Sequence, residues 1–255
     1  MIVRRLTRRP RMLATGWAAR ARHFLLGPYS ADYDDATVET IRRVRRHTLT
    51  SPARLEALIS AVQHVAGARL PGAVVECGVW RGGSMMAVAL TLQRCNAADR
   101  DLYLFDTFTG MTEPTPEDVD SGYDGFALKH MWERRRRGEM NWIGVPADEV
   151  RAAMASTGYP AERVQLVPGP VEATLPEQAP ESIALLRLDT DWYASTRHEM
   201  EHLYPRLVPG GILLLDDYGH YPGARRAVDE YLAAHDEHVL LQRIDYTGRI
   251  ATKPG

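Results

Sequence analysis

Cysteine is nearly absent. The 255 residues hold two, Cys77 and Cys95, too few for a disulfide scaffold or a cysteine metal cluster, and free thiols in a reducing cytoplasm account for them. No apolar run reaches the roughly 18 residues of a membrane-spanning helix, so stable membrane insertion is not expected. Internal repeats and low-complexity tracts are also missing, which excludes solenoid, collagen-like and disordered architectures. Charge of one sign is not in excess either: the net charge is −2.

That balance hides an asymmetry. Residues 1–22 carry seven arginines (Arg4, Arg5, Arg8, Arg9, Arg11, Arg20, Arg22) and no acid. Once those seven are taken from the 31 basic residues, 24 remain against 33 acids, a balance of −9. The stretch reads as a mobile or loosely helical arm, ahead of membrane-surface or nucleic-acid contact. No uninterrupted apolar segment or small-residue cleavage site follows it, unlike in a signal peptide. With 45% hydrophobic and 25% charged residues, the rest can bury one sizeable core.

From Pro52 onward the pattern alternates. Leu55, Leu58, Ile59, Val62 and Val65 recur at helical spacing, predicting a helix over about 53–66. Ala73–Cys77 reads as a buried strand; Gly78 to Gly83 form a glycine-rich turn, with Ser84 as the cap of a helix from Met85. Further strands are expected over Leu102–Phe105, about 163–167, about 183–188 and Ile212–Leu215. Thr196 and Glu199 have capping-box spacing in a helix over 196–207, stopped by Pro209-Gly210-Gly211. A helix over about 224–234 and a hairpin around Tyr246-Thr247-Gly248 complete the chain. Strands alternating with helices imply an α/β fold with a mostly parallel sheet, to which the hairpin adds an antiparallel edge. The interval 107–162 is too long for a simple connection and is expected to be a lid or acceptor-binding insertion.

Ligands of open parallel sheets bind beyond the carboxyl ends of the strands. Four strand ends here carry acids: Glu76, Asp106, Asp189 and the pair Asp216-Asp217. The first turn, Gly78-Val79-Trp80-Arg81-Gly82-Gly83-Ser84, has neither the three-glycine dinucleotide spacing nor a Lys-Ser/Thr phosphate loop. Its glycines still admit a ligand to the backbone, and helix amides suit a carboxylate. An acid beside that turn suits a cation, and Asp106 suits ribose hydroxyls. A ligand with a ribose, a carboxylate and positive charge points to S-adenosylmethionine.

The segments Val75-Glu76-Cys77-Gly78-Val79-Trp80-Arg81-Gly82-Gly83-Ser84, Phe105-Asp106-Thr107-Phe108, Leu188-Asp189-Thr190-Asp191 and Asp216-Asp217-Tyr218-Gly219 closely resemble the macrocin O-methyltransferase family. The resemblance spans roughly 48–252. It implies a class I methyltransferase (Rossmann-like) fold of seven strands with an antiparallel C-terminal hairpin. The basic arm and a helical cap are expected over 1–50, to which the resemblance carries nothing over, ahead of a methyltransferase domain over 51–255. The resemblance also implies S-adenosylmethionine, a divalent cation (magnesium is expected) and a sugar hydroxyl as acceptor, on a natural product such as an antibiotic or on a glycan.

On that resemblance Glu76, Gly78, Val79 and Ser84 hold the methionine end of the cofactor, Asp106 and Thr107 the ribose, and Gly169, Val171 and Glu172 the adenine border. Asp189, Asp216 and Asp217 match the metal-binding acids, and Asp189 also suits the general base, with Asp191, two positions on, as the second candidate. The expected partner is a small glycosidic or sugar-nucleotide acceptor rather than nucleic acid, and a homo-oligomer is compatible with the sequence.

Other readings stand apart from this set. His198-Glu199-Met200-Glu201-His202 fits the HExxH zinc pattern, but the helix's apolar face falls on Met200, Leu203, Tyr204 and Leu207, which turns both histidines toward solvent. Asp189-Thr190-Asp191 also matches the DxD element of glycosyltransferases; the glycine-rich first turn and the second acid pair weigh against that reading. A noncatalytic binding protein on the same fold is disfavoured by the intact acid set. His220 suits an acceptor contact better than base catalysis, and Cys77 suits packing better than nucleophilic attack.

Overall fold

The computed structural model describes residues 29–118 and 125–255. The basic arm of residues 1–22 lies outside them. The first described helix, α1 (Asp35–Val44), is capped by Asp34, whose Oδ1 accepts the Thr37 N–H at 2.6 Å. Ser51 likewise caps α2 (Pro52–Gly67), accepting the Arg54 N–H at 3.2 Å, and Pro52 opens that helix where no donor is needed. The predicted stripe Leu55, Leu58, Ile59, Val62 and Val65 is buried throughout.

Next come β1 (Ala73–Cys77), α3 (Gly83–Arg94), β2 (Leu102–Asp106), α4 (Gly125–Arg136), α5 (Ala147–Ala155), β3 (Val164–Pro168) and the single turn α6 (Val171–Thr174). The chain continues through β4 (Ile183–Leu188), α7 (Tyr193–His202), β5 (Leu207–Leu215), α8 (Pro222–Ala234), β6 (Gln242–Arg243) and β7 (Arg249–Thr252). The seven strands lie in the order β3-β2-β1-β4-β5-β7-β6, parallel from β3 through β5 and antiparallel at β7 and β6. The α/β sheet with an antiparallel C-terminal edge is therefore as expected. Because the chain winds outward from β1 to β3 and then returns to place β4 on β1's other side, the β1/β4 boundary is the point where ligands of such sheets bind.

Alternation along each strand divides the core into two layers. Val74, Leu104, Leu185 and Leu214 face α1, α2, α3 and α5, whereas Val75, Phe105, Leu186 and Leu213 face the layer of α7 and α8. The long interval after β2 is not uniform: Val150 and Met154 of α5 join the first core layer, while Leu128 and Trp142 join a small separate cluster around Trp192.

Three local expectations are corrected. Helix α3 starts at Gly83 behind a left-handed Gly82 and has no side-chain cap, so Ser84 sits inside its first turn and is buried. Helix α7 starts at Tyr193 rather than Thr196 and ends at His202; Glu199 is fully buried and accepts from the Thr190 hydroxyl at 3.2 Å, so no capping box forms. Pro209-Gly210-Gly211 does not end a helix. It lies within β5, which pairs Leu207 with Ile183 and then Ile212 with Leu185, the extra residues bulging toward Lys253.

Helix α1, within the region expected as a cap, packs into the first core layer, where Ile41 and Val44 are completely buried. Ile41→Ala is expected to cost about 2–5 kcal/mol in chemical denaturation, as for other buried large-to-alanine changes. A loss below about 0.5 kcal/mol, typical of surface sites, would make α1 an accessory element.

Candidate active site

Beyond the carboxyl ends of the parallel strands lies a cleft of about 330 Å³. The turn after β1 forms its floor. Gly78 has φ +83°, and a Cβ there would lie 1.9 Å from the Asp189 carbonyl oxygen, so the close approach of the β1 and β4 ends requires glycine. Asp106 fixes the same turn from β2: Oδ2 accepts the Val79 and Trp80 N–H groups at 2.7 and 3.0 Å, and Oδ1 the Phe108 N–H at 2.8 Å. Its carboxylate is thus held rigidly with acceptor capacity to spare, and it lines the cleft. Gly78, Val79, Ser84 and Thr107 line the same side, with Gly169, Val171 and Glu172 facing them from the β3–α6 turn.

Glu76 does not line the cleft. It is 1% exposed, beneath the floor, with Oε1 bound to Arg187 and Oε2 without a partner. Arg187 is the residue that sequence reasoning missed. From inside β4, its Nη1 donates to Glu76 Oε1 at 2.5 Å and Asp189 Oδ2 at 2.8 Å, and its Nη2 to Asp216 Oδ1 at 2.5 Å and Thr50 Oγ1 at 2.9 Å. Burial works against this charge, but Asp189 and Glu76 outweigh it and hold the guanidinium protonated more firmly than usual. Burial still pushes Glu76 up to about 8, despite the Arg187 charge beside it. A lone arginine in the otherwise apolar run Ile183–Leu188 was the available signal.

The acids separate into two groups. Asp189, Asp191 and Asp217 bring carboxylate oxygens within 4.8 Å of one another. Asp216, expected among the metal-binding acids, lines the same cleft but is not part of that triad, and both its oxygens accept from guanidinium groups, Oδ1 from Arg187 and Oδ2 from Arg54. Asp191 adopts φ +68° after β4, and its N–H donates to Asp217 Oδ2 at 3.2 Å. Burial, then the charges of Asp217 and Asp189, raise the Asp191 carboxyl well above its usual range; burial and Asp189 push Asp217 up to about 7. Three mutually repelling carboxylates with only oxygen donors fit a hard divalent cation.

The cleft is also lined by His220, Tyr221, Thr247 and two apolar residues that remain solvent-exposed, Leu49 and Ile143. Non-glycine residues with left-handed backbone concentrate here: Trp80, Ile143 and Asp191 all line the cleft, the pattern of strain held in place by surrounding structure.

The decoys fall elsewhere. His198 and His202 touch ring to ring, 4.3 Å between centroids, and Glu201 brings a third ligand atom within 4.8 Å, closer than the sequence indicated. None of the three lines the cleft, and both histidines are half-buried rather than open to solvent. Cys77 is buried, and burial raises its thiol well above the ordinary value, which suits packing and not attack.

The macrocin O-methyltransferase model matches residues 30–253. The demethyldecarbamoylnovobiocin O-methyltransferase of Streptomyces niveus is 35% identical over 202 residues, 79% of this chain and 74% of that protein. The mycinamicin III 3''-O-methyltransferase of Micromonospora griseorubida is 32% identical over 202 residues, 77% of this chain and 76% of that protein. Among solved structures, the O-methyltransferase NovP superposes with a TM-score of 0.69 at 30% identity, covering 95% of this chain and all of that one. The calicheamicin methyltransferase CalS11 shares the fold, with a TM-score of 0.61 at 21% identity over 94% of this chain and 93% of that one. With a class I methyltransferase sheet and a matching acid-lined cleft at its switch point, the chain belongs to the macrocin O-methyltransferase family and is an S-adenosylmethionine-dependent O-methyltransferase.

Proposed function

We propose that the acceptor is a hydroxyl of a sugar, on a deoxysugar of a natural product or a glycan, and that transfer depends on a divalent cation. The observation that carries this reading is the meeting of Asp189, Asp191 and Asp217 in the same cleft as the Gly78 turn and Asp106. The relatives named above are sugar O-methyltransferases of antibiotic pathways, among them one named for a 3''-hydroxyl of mycinamicin III. The exposed apolar rim of Leu49 and Ile143 suits a glycoside whose aglycone rests on it.

Asp189 and Asp217, joined by Asp191, would hold the cation, with magnesium favoured by the all-oxygen donors. When bound, it supplies positive charge that acidifies a neighbouring hydroxyl. The chain's own work is then proton transfer and alignment. Asp191 is the better placed base of the two candidates: Asp189 already accepts from Arg187 Nη1 at 2.8 Å, whereas among the described residues no guanidinium pairs with the Asp191 carboxylate. Asp106 and the Gly78 turn would fix the cofactor end, and Gly110, Met111, Thr112 and Ile143 of the interval after β2 border the cleft where they can exclude water.

Asp106→Ala is expected to weaken binding of S-adenosylmethionine or its demethylated product about 10–150-fold, the worth of hydrogen bonds to a charged group. Calorimetry on folded wild type with no cofactor binding would sink the cofactor site.

Chelation should abolish turnover and magnesium or manganese restore it. Asp217→Asn should lose most activity with cofactor affinity nearly unchanged, while His198→Ala with His202→Ala should keep full activity, since those rings lie outside the cleft. Full turnover in chelator would remove the cation from the reaction.

A further inference from the structure

Helix α7 begins directly after the Asp189–Asp191 turn, yet it has no cap of its own: Trp192 stands at the N-cap and makes no capping side-chain bond. The cap comes from the insertion after β2. Asp118, completely buried, accepts the Tyr193 N–H on Oδ1 at 2.6 Å, and the Thr115 N–H and hydroxyl on Oδ2, both at 2.8 Å. A carboxylate facing the first amide of a helix makes a charge-assisted bond and complements the helix dipole.

The neighbouring contacts tighten the same joint. Trp192 Nε1 donates to the Thr112 carbonyl at 3.3 Å, and the Trp192 ring packs edge-on against Trp142 and Tyr221, with centroids 5.9 and 5.7 Å apart. Trp192 is 2% exposed and forms, with Leu128 and Trp142, a cluster distinct from the two core layers. Gly223 closes the slot from α8: a Cβ there would lie 2.3 Å from Asp118 Oδ1.

Asp191 stands between two anchors. On its sheet side, its N–H reaches Asp217 at 3.2 Å; on the other, the very next two residues are bound to segment 112–118. Its left-handed backbone is a conformation that an L-residue keeps only when its surroundings impose it.

We propose that Asp118 is a positioning residue: by capping α7 from the insertion, it locks the Asp191 turn in its working geometry and couples the acceptor-side cover to that turn. The role rests on the methyl-transfer reading, in which Asp191 takes the acceptor proton. Asp118 itself lies outside the cleft lining.

The test compares the full chain with Asp118→Ala, Asp118→Asn and Gly223→Ala. Asparagine keeps an oxygen for the Tyr193 N–H without the charge. Gly223→Ala leaves the carboxylate intact but crowds it out of its slot. With S-adenosylhomocysteine bound, amides of residues 190–196 should exchange about 10-fold faster in Asp118→Ala and Gly223→Ala, and within about 3-fold of wild type in Asp118→Asn, with β4 unchanged.

With a noviosyl or rhamnosyl glycoside as acceptor, kcat should fall about 10-fold in the first two variants while KM for S-adenosylmethionine stays within about 2-fold, and asparagine should restore most of the rate. Unchanged exchange at 190–196 in both Asp118→Ala and Gly223→Ala overturns the proposal, as does faster exchange with a wild-type kcat. A wild-type chain that methylates no glycoside counts against the proposed function alone, and the exchange comparison still decides the coupling.

Discussion

The buried guanidinium of Arg187 is the contact on which the cleft depends. Its four partners come from four places in the chain: Thr50 ahead of α2, Glu76 in β1, Asp189 after β4 and Asp216 after β5. Three carboxylates at adjacent strand ends would repel one another. One planar cation with five donors reaches all three and lets the ends of β1, β4 and β5 lie side by side, although burial still pushes Glu76 up to about 8. Such a network is costly to desolvate and contributes less to net stability than to geometry. Removing the cation alone would strand the acids.

From this joint the site extends to either side. Toward β2, Asp106 turns its carboxylate back on the Gly78 loop and sets the floor of the cleft. Toward α7, the chain leaves Arg187 and Asp189 and passes through the left-handed Asp191 into a helix whose first amide is held from the insertion by Asp118. The acids differ in their pairing: Glu76 is buried on Arg187 beneath the floor, Asp216 lines the cleft with both oxygens on guanidinium groups, and Asp189, Asp191 and Asp217 bring oxygens together in the cleft. The strand-end acids look equivalent in sequence, and the distinction among them is electrostatic, set by which oxygens a guanidinium already occupies.

Much of the fold is legible in the sequence because burial imposes a period. The apolar stripe of α2 and the short apolar runs of β1, β2 and β4 can be placed within a residue or two, since a strand buried on both faces admits little else. The strand-end acids and the Gly78 turn are legible for the same reason, as polar punctuation in apolar runs. Local signals without burial behind them misled: Ser84 and the Thr196–Glu199 pair have capping spacing, but tertiary packing buried both Ser84 and Glu199. Pro209-Gly210-Gly211 reads as a helix stop and proves to be a bulge, because the pairing of Leu207 with Ile183 pulls that stretch into the sheet.

The sequence by itself determined the order of strands and helices, the rim on which ligands bind and the residue types gathered there, since periodicity and strand-end chemistry are local properties. The family resemblance carried in its motifs added the methyl-transfer chemistry. Only the tertiary structure decided which acids meet. Arg187 and Arg54 come to Asp216 from positions 29 and 162 residues away in sequence, and Asp118 reaches Tyr193 across 75 residues. Pairings at such separations leave no periodic trace, so they exist only once the sheet has closed and its two faces are covered.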